Sequence, residues 1–304
     1  MKTTYIKYLI LAVISSFALC GCSDDDEKLT PSAGYPNFFL PAETDNSQEA
    51  NLRRDFYKNT GIYLVFNDTL ATYTDEYGIE KTETLDVGWS ITSYLPTYPE
   101  WDYIETFAER EAAIKALDKY FIPYLTVEGS PLRPFCLFPV RNLLSPDKWG
   151  SLKPSSYFSG LRCLMIDVSD WLEADESEMP VIAMSLLKDV ISAKVTETSE
   201  EVMPFLAVSG NLYDSTPYKE FADWMDFQDI TLIYEAGFLR YFPDSWGDPD
   251  WDQFPNREND IKDYLNAVFN ENESEFREKW AEYPKIIEKY EIMKQCIEAF
   301  GIKF

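Results

Sequence analysis

Histidine is absent from all 304 residues. A chain without imidazole cannot build a Ser-His-Asp triad or a Cys-His dyad, and it offers no histidine base or histidine ligand for zinc. Cysteine is scarce as well. Beyond the N-terminal segment only Cys136, Cys163 and Cys296 remain. Their wide spacing and odd number exclude a zinc ribbon or Cys-x-x-Cys redox site and permit at most one disulfide, whose formation the sequence leaves open. Cys163 and Cys296 sit in apolar patterns, where a free thiol packs as a small core residue. Positive charge is also in short supply: 27 Lys and Arg face 53 Asp and Glu, for a formal net charge of −26. Nucleic acid, which needs a basic surface, is excluded as a partner. No Gly-rich nucleotide loop is present. What remains is carboxylate chemistry, such as the paired acids of glycosidases, but 53 acids in one sequence single out no pair.

Apolar residues make up 45% of the chain and aromatics 16%, enough for a sizeable core. Lys2 and Lys7 precede an uncharged run over residues 9–19. That run is shorter than the ~18–20 residues a membrane-crossing helix needs and has the layout of a secretory signal peptide. Leu19, Cys20, Gly21 and Cys22 resemble a bacterial lipobox. The resemblance implies cleavage before Cys22, which becomes the N-terminus and carries acyl chains, with each buried methylene contributing about 0.8 kcal/mol to anchoring. Ser23, Asp24, Asp25, Asp26 and Glu27 resemble the acidic tag that sends Bacteroidota lipoproteins to the outer face of the outer membrane; a merely solvated acidic tether has the same composition. The expected organisation is a signal peptide over 1–22, a tether over 23–45 and one α+β domain over 46–304. The expected location is the outer membrane, lipid-anchored and facing outward.

Residues 61–67 and 85–95 are rich in β-branched and aromatic residues between turn formers and read as strands, as do 134–140 and 160–168. The last is apolar throughout and suits a central position. Helical spacing runs over 102–121, with Asp102 and Glu105 placed as a cap, and over 179–195, with Ser177 as cap and Pro180 in the first turn. Residues 218–225 and 229–242 also read as helical. Ile261, Tyr264, Leu265, Val268 and Phe269 form one stripe, and Ile286, Tyr290, Met293, Ile297 and Phe300 another, ended by Gly301. A mixed sheet in the N-terminal half and a mainly helical C-terminal half follow.

Several of these segments resemble a family of Bacteroidota surface lipoproteins, the zinc metallohydrolases associated with SusC/SusD-type importers. They are "LRRDFYK" before "NTGIYLVFN", "LRCLMIDV" before a helix, "EAGFLRYF", "ENDIKDYLNAVF" and "KIIEKYEIM". The resemblance spans most of residues 50–304 and implies a zincin-like domain. In that family the helix after the strand carries His-Glu-x-x-His, two zinc ligands and a general base. The matching positions here are Ser185, Leu186 and Asp189. Serine is a weak ligand and leucine moves no proton. Glu258, Asp260 and Asp263 keep acids on the later helix where the family places a further ligand. The resemblance therefore implies a degenerate, non-catalytic member without zinc, helping an importer capture glycan or peptide. An ordinary core helix of an unrelated fold would show the same pattern at 179–195.

Residues 241–260 form the most site-like loop. Asp248, Asp250 and Asp252 alternate like the start of a calcium loop, although Gln253 and Asn259 replace its glycine and glutamate. Trp246 and Trp251 beside those acids suit a sugar face, or equally fasten the loop to the core. Besides the non-catalytic capture protein, two alternatives stay open: a carboxylate-dependent glycoside hydrolase and a structural surface protein.

Overall fold

The computed structural model describes residues 37–75, 77–88, 98–127, 130–147, 149–213, 231–240 and 254–302. One compact unit begins at Phe38. Helix α1 (Gln48–Thr60) starts where the Ser47 hydroxyl accepts from Ala50 N–H and stops at Gly61, whose φ of +65° is costly for other residues. The expected strand at 61–67 follows as the short β1 (Tyr63–Leu64). Next come a polar hairpin, β2 (Thr69–Thr74) with β3 (Glu80–Thr84), and the short β4 (Glu100–Asp102).

Helix α2 (Phe107–Tyr120) begins later than its apolar spacing suggests. Its cap is Thr106 with Glu109, a reciprocal capping box, and the expected cap residue Asp102 lies in β4. Helix α3 (Ile122–Leu125) leads to the long strand β5 (Cys136–Pro146), then β6 (Leu152–Pro154), β7 (Tyr157–Ser159) and β8 (Cys163–Asp167).

The first half of β5 pairs in parallel with β1 and with β8, and β7 adds antiparallel to β8. The second half of β5 pairs antiparallel with β4 and β6. Between the halves Asn142 takes φ +49°, a left-handed conformation that asparagine tolerates better than most residues. Strand β8 is interior, with β5 on one side and β7 on the other.

Pleat alternation sorts the sheet residues into two cores. Leu137, Leu164 and Ile166 face the helices. Cys136, Phe138, Val140, Cys163 and Met165 face a second cluster closed by Phe39, Val65, Leu85 and Val87. This second core explains one departure from the sequence reading, at residues 85–88. Phe39 is buried in it and its carbonyl accepts from Arg53, and the compact unit begins at Phe38. Leu85 and Val87 use their alternation to cover the sheet without joining a ladder, so residues 85–88 are not a strand; 89–95 lie outside the described residues.

The C-terminal part is helical. Helix α4 (Ser169–Glu173) leads into α5 (Met179–Lys194), where Pro180 fits the first turn but Ser177 makes no cap. Helices α6 (Met203–Ser209), α7 (Thr231–Glu235), α8 (Arg257–Asn270), α9 (Glu273–Lys279) and α10 (Pro284–Ala299) follow. Within 229–242, α7 ends at Glu235 because Gly237 turns the chain at φ +87°. The helix expected at 218–225 lies outside the described residues. Both expected stripes on α8 and α10 are buried, except that Phe269 is only partly so, and Gly301 ends α10 at φ +92°. The architecture is α+β, with a mixed sheet and helices in the C-terminal part. Among the described residues no helix is long and apolar enough to cross a membrane.

Candidate functional site

Helix α5 follows β8 and packs against α2, α4 and α8. It buries Ala183, Leu186, Leu187, Val190 and Ile191 and turns Ser185 outward. Ser185 and Leu186 line a cleft of about 670 Å³ between the N-terminal half of α5 and the β5–β6 edge. The cleft runs on through Asp170, Val181 and Ile182 into a groove of about 560 Å³ bordered by Glu173 and Glu178. One turn further along α5, Asp189 borders a depression that shares Pro154, Ser155 and Ser156 with the cleft and adds Glu258 and Lys262.

Ser185 and Asp189 thus lie on the side of α5 that faces open space, where the resemblance would place metal ligands. The groups themselves do not suit zinc. Ser185 supplies a hydroxyl, Leu186 is 2% exposed and supplies only alkyl surface, and one Asp189 oxygen accepts from the Ser156 hydroxyl at 2.9 Å. Among the described residues no group of three or more Cys, Asp and Glu could hold a metal ion. Of the carboxylates at the cleft, Asp167 is structural: its two oxygens accept from Leu143 N–H and Ser169 N–H, both at 2.8 Å. Asp170, Glu173 and Glu178 remain at the surface. Glu173 lies 3.6 Å from Arg141, and Glu178 accepts from Asp175 N–H.

Of the acids of α8, Glu258 borders the same depression as Asp189 of α5. Glu258 pairs with Lys262 at 2.6 Å, and Asp263 pairs with Arg240 at 2.7 Å. Asp260 points into the core and meets Lys289 of α10, with 1% and 0% of their side chains exposed. The Lys289 ammonium also donates to the Ser209 hydroxyl at 3.0 Å and to the Tyr213 hydroxyl at 3.2 Å. Tyr213 in turn donates to Asp260 Oδ2 at 2.6 Å. Four rings enclose the cation: Phe205, Phe238, Tyr264 and Tyr213, with centroids 4.4, 4.7, 5.0 and 5.6 Å from Nζ.

Burial pushes the Lys289 pKa down to about 8 against the pull of Asp260, and pushes the Asp260 carboxyl up against the pull of Lys289. Asp260 Oδ1 has no hydrogen-bond partner. A serine beside a lysine of lowered pKa is chemically suggestive, but Ser209 is 3% exposed and Lys289 is fully buried, so no substrate reaches them in this conformation. The cluster ties α6, α8 and α10 together. Sequence reasoning missed it, although Lys289 stands between Ile286 and Met293 on the buried stripe of α10, a position where a charge needs a partner.

Cys22, the tryptophans Trp246 and Trp251, and the acids Asp248, Asp250 and Asp252 lie outside the described residues. No protein-family model matches this chain, and no curated protein or solved structure matches it either.

Proposed function

We propose that this chain is an outer-membrane lipoprotein, anchored through acylated Cys22 and facing outward, whose folded domain is a zincin-like pseudoenzyme that helps an importer of SusC/SusD type capture glycan or peptide. The observation that carries the non-catalytic part is the chemistry of α5. The helix after β8 borders an open cleft, yet positions 185, 186 and 189 hold serine, a buried leucine and an aspartate already bonded to Ser156. A cleft with polar and apolar walls, and no metal-ligand set among the described residues, suits binding without turnover.

Metal analysis of the purified full chain, combined with peptide and polysaccharide digestion, tests this reading. The expected result is substoichiometric zinc and unchanged substrates with or without added zinc. One bound zinc per chain with chelator-sensitive hydrolysis would overturn it. The exposed acids Asp170, Glu173 and Glu178 along the groove keep a glycosidase as the second reading. That reading requires turnover that Asp170→Asn or Glu178→Gln abolishes. A purely structural surface protein would show no saturable ligand binding.

A further inference from the structure

At the opposite end of α5 lies a cavity of about 260 Å³ whose described lining includes Arg133, Arg162 and Lys194 and no Asp or Glu. In a chain with 53 acids such a pocket is out of keeping with its surroundings. Several cations elsewhere pair with carboxylates: Arg110 with Glu49, Arg141 with Glu109, Arg240 with Asp263 and Arg277 with Glu273. Arg162 follows that habit, since its guanidinium bonds the Leu85 carbonyl and Glu83, both at 3.3 Å, and lies 3.8 Å from Asp86. Arg133 and Lys194 have no acid partner among the described residues.

Arg133 donates one Nη2 bond to the Thr60 carbonyl at 2.7 Å and has no acid partner. The guanidinium is braced where α1 ends, because a Cβ at position 61 would lie 2.0 Å from its Nη2 and Gly61 has none. Its remaining N–H groups keep the planar fork that matches a carboxylate. Lys194, in the last turn of α5, is exposed and likewise lacks an acid partner. The rim of the same cavity is apolar: Phe135 is 53% exposed and Leu161 66% exposed. Large apolar side chains so exposed beside unpaired cations mark a surface that a ligand can cover.

We propose that this cavity binds a small organic carboxylate, its anionic end on Arg133 and Lys194 and its ring or apolar body against Phe135 and Leu161. The volume admits one ring-sized molecule, not a folded chain. The site is separate from the α5 cleft and does not depend on the capture reading.

Titration calorimetry on the full chain tests the assignment with two acids, glucuronate and phenylpropionate, and their uncharged counterparts glucose and phenylpropanol. The expected result is saturable binding of at least one acid, none of its neutral counterpart, and a loss of about tenfold or more in affinity for Arg133→Gln and for Lys194→Gln. The acid that binds more tightly tells whether the body is a sugar or an apolar ring. Among the described residues Lys194 makes no side-chain bond, so Lys194→Gln reports on the ligand even if Arg133→Gln disturbs the end of α1. Binding of neither acid, equal binding of a neutral counterpart, or affinities unchanged in both variants would overturn the proposal.

Discussion

Lys289 and Asp260 show how much a single buried pair can govern. Removing one partner leaves the other charged and dry, which costs about 3–5 kcal/mol, whereas removing both together costs far less than the sum. Asp260→Asn and Lys289→Met should each lower the urea midpoint strongly, and the double variant should recover part of the loss. The pair also sets a pH dependence. The folded pKa of Lys289, about 8, lies below its ordinary value of 10.5. Below pH 8 both folded and unfolded chains hold the proton, and the burial penalty is present in full. As pH rises from there toward the ordinary lysine value, the folded chain releases a proton that the unfolded chain keeps, so stability gains with pH. Comparing wild type with Lys289→Met over that window should show this rising component in the wild type alone. The cysteines supply a further residue-scale prediction. Burial raises the thiol of Cys163 to about 12 and that of Cys296 to about 11, and pushes Cys136 up as well. All three are free and buried. They should resist a disulfide-exchange reagent in the native protein and react together on unfolding.

Among the elements, apolar periodicity marks helices well and their starts poorly. Helices α5 and α10 fall within a residue or two of the stretches their stripes define, and α8 begins four residues before Ile261. The start of α2 does not, because Ile104 is buried at helical spacing before the helix begins, while Thr106 and Glu109 hold the capping box. Thr106→Ala should therefore cost about 1 kcal/mol by urea unfolding, and Ser177→Ala, which removes no cap bond, should stay within error of wild type. The hairpin of β2 and β3 escaped notice because its threonines and charged residues bury almost nothing. Residues 85–88 misled in the opposite sense, since Leu85 and Val87 alternate like a strand but cover the sheet as a loop. The candidate site was legible to the extent that it is local. Ser185 and Asp189 are read from one helix, but the inward turn of Asp260 depends on Lys289 of another, and the cavity around Arg133 and Lys194 joins segments far apart in the chain.

For the molecule as a whole, a net charge of −26 disfavours the compact state through self-repulsion. Raising salt from about 0.02 to 0.3 M shortens the screening length and should raise the melting temperature. The same charge keeps anionic surfaces away, which leaves the acylated Cys22 as the proposed means of attachment. Capture for an importer is the central claim, and affinity purification of the tagged full chain from gently solubilised membranes tests it most directly. The account predicts co-purification of a large β-barrel importer with its lid lipoprotein. Recovery of the chain alone, under conditions that keep other such complexes intact, would contradict it.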